Sequence, residues 1–259
     1  MLLAVNVNNT HTLVGLYDGE ALVVHWRIRT DQARTVDEWV VVLRGLLAEW
    51  GTAQPPVEGI VFGSVVPPMN ERIEELCRRL FGQVPLVVGP GVRTGVPLLY
   101  DNPREIGADR IANAVAATER VAGPCIVVDF GTATTFDVVT AKGEYAGGVI
   151  VPGIGISLDA LIARTAKLPR VELAWPPKVV GRTTVHAIQS GVTYGYTALV
   201  DGMVARIRAE QDPRARVIAT GGLAPFIAPH SATIESVDEF LTLDGLRIIH
   251  ARNGGRHVA

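Results

Sequence analysis

A strand–turn–strand unit occurs twice in this chain. AVNVNNTHTLVG (residues 4–15) can be laid without a gap over VVDFGTATTFDV (residues 127–138), so that Asn6 falls on Asp129, an offset of 123 residues. Asn8 then falls on Gly131 and Asn9 on Thr132. Self-similarity on this scale constrains the fold more than any local propensity, because each copy needs its own set of packing elements. On its own, the overlay is also what two unrelated β-hairpins would give.

Similar elements succeed each copy. In the first half come the strands LLAVNV, TLVGLYD and ALVVHWRIRT, then a helix in VDEWVVVLRGLLAEW. A strand GIVFGSVV, a helix MNERIEELCRRLFG and a strand VPLVV come next, and a Gly- and Pro-rich loop leads to a helix in ADRIANAVAATERV. At residue 125 the pattern restarts with three strands in CIVVDFGTATTFDVVTAKGEYAGGVIVPG. Helices are expected in GISLDALIARTA and VHAIQSGVTYGYTALVDGMVARIRAE, then a strand RVIATGG and a last short strand near LRIIHA. This alternation indicates an α/β chain. Its 259 residues divide into an expected first domain, 1–118, and second domain, 119–259.

Composition removes several classes of function. The formal net charge is −2 and the Lys and Arg residues are scattered, which gives no footprint for nucleic acid. No apolar stretch reaches the ~20 residues that span a bilayer. The start, MLLAVNV, lacks a basic region and a long enough apolar run for a secretory signal, so a cytoplasmic location is expected. Cys77 and Cys125 lie far apart and read as two buried thiols, in keeping with a reducing compartment. The six histidines form no cluster with metal spacing; His11 alone lies in a candidate site, as a partly exposed turn residue.

The duplication supplies an internal comparator. Gly131 allows positive φ and close approach of a phosphate to the backbone. Asn8 takes that place in the first copy. Asparagine tolerates left-handed φ best among the other residues, so the turn can survive, with a side chain added where a ligand would sit.

Four ordered blocks carry a resemblance to a known family. NVNNT stands where the family has Asp-x-Gly-Asn-Thr; GADR (107–110) matches Gly-x-Asp-Arg. DFGTATT (129–135) matches Asp-x-Gly-Thr-Ala-x-Thr, and GGVIVPG (147–153) matches Gly-Gly-x-Ile-x-Pro-Gly. YDNP, GRTT, AIQSG and ATGGLA support them. Over essentially its whole length the chain resembles type III pantothenate kinases of the actin and sugar-kinase superfamily. The resemblance implies two ribonuclease-H-like domains with a cleft between them. It implies phosphorylation of pantothenate by ATP, the first committed step toward coenzyme A, with Mg²⁺, K⁺ or NH₄⁺, and a homodimer.

The resemblance also implies a role for each matching residue. Asn6, Asn8, Asn9 and Thr10 in the first turn, Gly131 and Thr132 in the second, and Gly221 and Gly222 in ATGGLA would face ATP and its phosphates. Asp129 would bind the monovalent cation. Asp109 would be the base for the alcohol. Tyr100, Gly107, Ala108, Asp109 and Arg110 would contact pantothenate, with Thr184 reaching it from the partner subunit. From the residues alone, Asp109 reads first as an N-cap or first-turn carboxylate favoured by the helix dipole, and Thr184 equally as a helix cap.

Asn6 is a departure: the family places an aspartate there to orient Mg²⁺. The amide keeps the shape and the hydrogen bonding but not the charge. Loss of one such electrostatic contact costs on the order of 3 kcal/mol, or roughly 10² to 10³ in rate. Three readings remain open: a slow pantothenate kinase, a catalytically silent paralogue that binds nucleotide or pantothenate, or a kinase with a shifted acceptor.

Overall fold

The computed structural model describes residues 1–50 and 56–254. It forms two compact units, Met1–Ala116 together with the segment from Leu241 onward, and Ala117–Phe240. In the first, β1 (Leu2–Val7), β2 (His11–Asp18) and β3 (Ala21–Arg29) form an antiparallel meander. After α1 (Val36–Trp50), β4 (Gly59–Ser64) returns parallel to β1. After α2 (Pro67–Phe81), β5 (Leu86–Val87) joins β4, which gives the order β3-β2-β1-β4-β5. The alternation of a strand decides the faces. Leu3, Val5, Val7, Val14 and Leu16 form one core with Trp39 and Leu43 of α1 and with Ile73 and Leu76 of α2. The unit continues into α3 (Ala108–Arg120).

The second unit repeats the plan. β6 (Cys125–Phe130), β7 (Ala133–Val139) and β8 (Tyr145–Pro152) form the meander. They are followed by α4 (Ile154–Ala163) and α5 (Thr184–Glu210). β9 (Arg216–Thr220) lies parallel to β6; after α6 (Ala224–Ile227), β10 (Ser236–Val237) lies parallel to β9. The order β8-β7-β6-β9-β10 repeats the first sheet strand for strand. Ile126, Val128, Phe130, Phe136 and Val138 pack with Ile188, Val192, Val200 and Val204 of α5.

The two hairpins differ in their turns. Val7 pairs with Thr12 and leaves residues 8–11 in the turn, whereas Phe130 pairs with Thr134 and leaves 131–133. The gapless overlay therefore holds on the first strand of each hairpin and slips by one residue on the second. The expected left-handed backbone is absent as well. No described non-glycine residue has positive φ, and Gly131 is not among the glycines that do. A Cβ on Gly131 would meet Ala133 O at an ordinary 3.4 Å. Asparagine in place of glycine thus adds a side chain to this turn without straining it.

The segment expected as a final strand is a helix, α7 (Leu241–Arg252). Leu241, Leu243, Leu246, Ile248 and Ile249 are all buried, so the run is apolar around most of the helix. A short apolar run without an amphipathic period cannot be told from a strand. α7 belongs to the first unit, although the sequence pattern assigns it to the second. It packs on β1, β2 and β4, and Gly245 lies so close to the Ala112 carbonyl of α3 that a Cβ would overlap it. Cys77 and Cys125 are buried and unpaired, and burial pushes each thiol up to about 12. No described helix is long and apolar enough to cross a membrane.

Candidate active site

Asn6 is the next-to-last residue of β1, in register with Leu13 on one side and Gly63 on the other. It is 3% exposed, and its Oδ1 has no hydrogen-bond partner; the buried Oδ1 of Asn8 has none either. A buried acceptor left unmade costs about 1–3 kcal/mol. Two of them beside one turn mark a place where a donor belongs, and a metal-bound water is such a donor. Within the turn, the Asn8 N–H donates to His11 O (3.1 Å) and the Thr30 N–H to Thr10 O (2.9 Å). Asn9 and Thr10 are exposed at the tip. His11 is exposed at the start of β2; partial burial, then the charges of Arg27 and Arg29, lower its pKa.

Gly63 links this turn to the GADR segment. A Cβ on Gly63 would stand 3.2 Å from the Ala108 Cβ, so Ala108, the buried first residue of α3, rests on the strand beside Asn6. Asp109 is next. Its Oδ1 accepts the Arg110 N–H at 2.8 Å, and Gly107 leaves it room, because a Cβ there would lie 2.5 Å from Oδ1. Burial raises the Asp109 pKa; the Arg110 N–H and the Arg110 charge oppose the rise. The carboxyl is therefore a stronger base than a solvated one. Arg110 is buried and Tyr100 half-buried in the loop before the helix. A cavity of about 720 Å³ opens along this loop, lined by Ser64, Val88, Gly89, Arg104, Gly107 and Ala108 among others. Its size is that of a small-molecule site.

In the second unit, Asp129 holds the position in β6 that Asn6 holds in β1. Gly221, with φ +88°, lays its backbone against Asp129 Oδ1 and the Phe130 carbonyl, where a Cβ has no space. Gly222 beside it is exposed. At the turn, the Gly131 N–H donates to Ala133 O (3.1 Å) and the Gly153 N–H to Thr132 O (3.0 Å). A Cβ on Gly153 would overlap the carbonyls of Thr132 and Gly131. Gly153 thus shapes the second turn. The motif GGVIVPG contains it, but only the folded contact shows which residue it serves.

Thr184 is exposed as the first residue of α5. It does not cap the helix: Thr183 does, its hydroxyl accepting the His186 N–H at 3.2 Å. Among the described residues there is no group of three or more His, Cys, Asp or Glu able to hold a metal. Any Mg²⁺ here would lean on phosphate oxygens and waters.

The model of the type III pantothenate kinase family matches residues 2–206. The chain is 56% identical over 253 residues to a type III pantothenate kinase of Anaeromyxobacter sp. (strain K), which covers 98% of this chain and 100% of the relative. This chain belongs to the type III pantothenate kinase family. The family's reaction is the ATP-dependent phosphorylation of pantothenate, on the way to coenzyme A.

Solved structures show how widely the fold of these kinases is shared. A Baf family protein from Campylobacter jejuni superposes with TM-score 0.64 at 18% identity and covers 98% of this chain and 100% of its own. The activator of the 2-hydroxyisocaproyl-CoA dehydratase from Clostridium difficile, with bound ADPNP, gives 0.57 at 13%, covering 98% and 95%. MreB 5 of Spiroplasma citri, bound to AMPPNP, gives 0.55 at 8%, covering 98% and 96%. The two five-stranded sheets thus have the actin and sugar-kinase fold.

Proposed function

We propose that this chain phosphorylates pantothenate and that Asp109 takes the proton of the accepting alcohol. The alcohol oxygen attacks the γ-phosphorus of ATP, the bond to the β–γ bridging oxygen breaks, ADP leaves, and the proton passes to the Asp109 carboxylate. Phosphoryl transfer of this kind depends mostly on positioning and charge stabilisation. The observation that carries the reading is the carboxyl of Asp109, whose pKa burial raises and to which Gly107 gives space, on a segment whose Gly107 and Ala108 line a cavity of suitable size. Arg110 is suited to the carboxylate of pantothenate or to a phosphate, both of which a guanidinium grips in a fork. Gly107 and Ala108 line the cavity, and Tyr100 is assigned to pantothenate with them. The turn residues Asn9, Thr10, Gly131 and Thr132, with Gly221 and Gly222, are assigned to ATP.

Mg²⁺, when bound, supplies charge neutralisation on the phosphates. Asn6 and Asn8 fit it through their unpartnered oxygens, which can accept from its waters. A monovalent cation, K⁺ or NH₄⁺, supplies further charge near Asp129, whose anionic oxygens suit it. A second copy of the chain would bring Thr184 to the substrate. The exposed Val179, Val180 and Val185 beside Thr184 support such pairing, since they leave apolar surface uncovered.

Asn6 favours a second reading, a binder without turnover. Incubation with Mg-ATP, K⁺ and pantothenate, then assay of ADP and phosphopantothenate, separates the two. Turnover supports the kinase. Calorimetric binding of nucleotide or pantothenate without turnover supports the silent binder, and turnover only with another alcohol supports a shifted acceptor.

A further inference from the structure

Asp129 sits in a row of oxygens. Residues directly paired on neighbouring strands project to the same face of a sheet. Asp129 is paired with Thr135 of β7 and with Thr220 of β9, which is 1% exposed. The matching row of the first sheet is Leu13, Asn6 and Gly63, with neither a hydroxyl nor a charge. The hydroxyls are therefore a property of the second copy alone.

The Thr135 hydroxyl is also oriented. It donates to Asp137 Oδ2 at 3.2 Å, and the Tyr145 hydroxyl donates to Asp137 Oδ1 at 2.9 Å. Asp137 has no exposed surface. With its proton directed at Asp137, the Thr135 oxygen has only lone pairs left to offer. An oxygen of that kind repels a phosphate and attracts a cation. One carboxylate with neutral hydroxyls balances a single positive charge. Mg²⁺ prefers its own waters and more anionic oxygen.

We propose that Thr135, its hydroxyl turned by the buried Asp137–Tyr145 pair, is an oxygen ligand beside Asp129 for the monovalent cation. This rests on the assignment of that cation to Asp129. Gly221 agrees with it, since no side chain from that residue covers the carboxylate.

The test is a KCl titration of the full chain against choline chloride at constant ionic strength, read by melting temperature and, separately, by the K⁺ concentration that half-activates transfer. Wild type should gain melting temperature with K⁺. Thr135→Val should raise the half-saturating K⁺ at least roughly tenfold in both readouts, while Thr135→Ser stays close to wild type. Asp129→Asn should abolish the K⁺ response. A Thr135→Val variant that titrates like wild type, while Asp129→Asn does not respond, overturns the role of Thr135 alone. An unchanged response in Asp129→Asn, or no response in wild type, overturns the Asp129 assignment and this proposal with it. Should Thr135→Val not fold, the smaller Thr135→Ala reads the same contrast, and a wild-type titration in it is equally fatal.

Discussion

Gly107 and Asp109 share one small space: a Cβ on Gly107 would stand 2.5 Å from Asp109 Oδ1. The backbone at Gly107 is not left-handed, so the glycine is there for room and not for conformation. Gly107→Ala should push the carboxylate aside while the fold persists. A displacement near 1 Å costs roughly 100-fold in rate, so kcat should fall by about that factor with KM for ATP little changed. Steady-state kinetics on the variant check this; a kcat within about twofold of wild type contradicts it.

Asp109 also links activity to stability. Burial raises its pKa in the folded chain, so folding favours the protonated form. Its contribution is most favourable below the unfolded carboxylate pKa and is lost as pH rises through the folded value. At pH 7 folding must either bury that charge or take up a proton, and either one costs stability. Asp109→Asn removes that cost and should melt higher than wild type at pH 7, with the difference shrinking toward acid pH. Melting curves from acid to neutral pH test the sign. A variant less stable than wild type at pH 7 refutes it.

Restoring the acid at position 6 should raise activity. Asn6→Asp adds a charge where the amide oxygen has no partner, and the gain in kcat should approach roughly 100-fold at saturating Mg-ATP. The Mg²⁺ concentration for half-maximal rate should fall as well. An unchanged rate in an active enzyme would mean that the metal does not depend on this position.

Gly153 is expected to matter for the nucleotide and not only for packing. Gly153→Ala forces a Cβ onto the carbonyls of Thr132 and Gly131. Overpacking of this kind costs about 1–3 kcal/mol. KM for ATP should rise with kcat less affected, because the second turn is displaced while Asp109 is not altered. Denaturant titration and ATP kinetics on the same variant check both halves.

Much of the fold is legible in the sequence. The repeat of Asn6 on Asp129 corresponds to equivalent positions in two sheets of identical order, because strand and turn patterns survive in local chemistry. The one-residue slip after the turn is hidden, since a gapless overlay cannot see which residues pair. α7 reads as a strand because a helix buried around most of its surface loses the period that marks a helix. The support of Thr132 by Gly153 and the Tyr145–Asp137 hydrogen bond depend on residues that only the fold brings together, and the tight fit of Gly107 to Asp109 on a local backbone path that spacing does not report. Asp109 stands out by its motif, but its raised pKa comes from burial, which no spacing reports.

Transfer from ATP to pantothenate, with Asp109 as the base, is the step on which the other predictions depend. The decisive measurement is phosphopantothenate formed per enzyme, by wild type and by Asp109→Asn, with Mg-ATP and K⁺ at saturation and with binding of both substrates confirmed by calorimetry. Product from wild type, and its loss in Asp109→Asn with binding retained, is the predicted result. Equal product from the two proteins, or none from wild type, would contradict it.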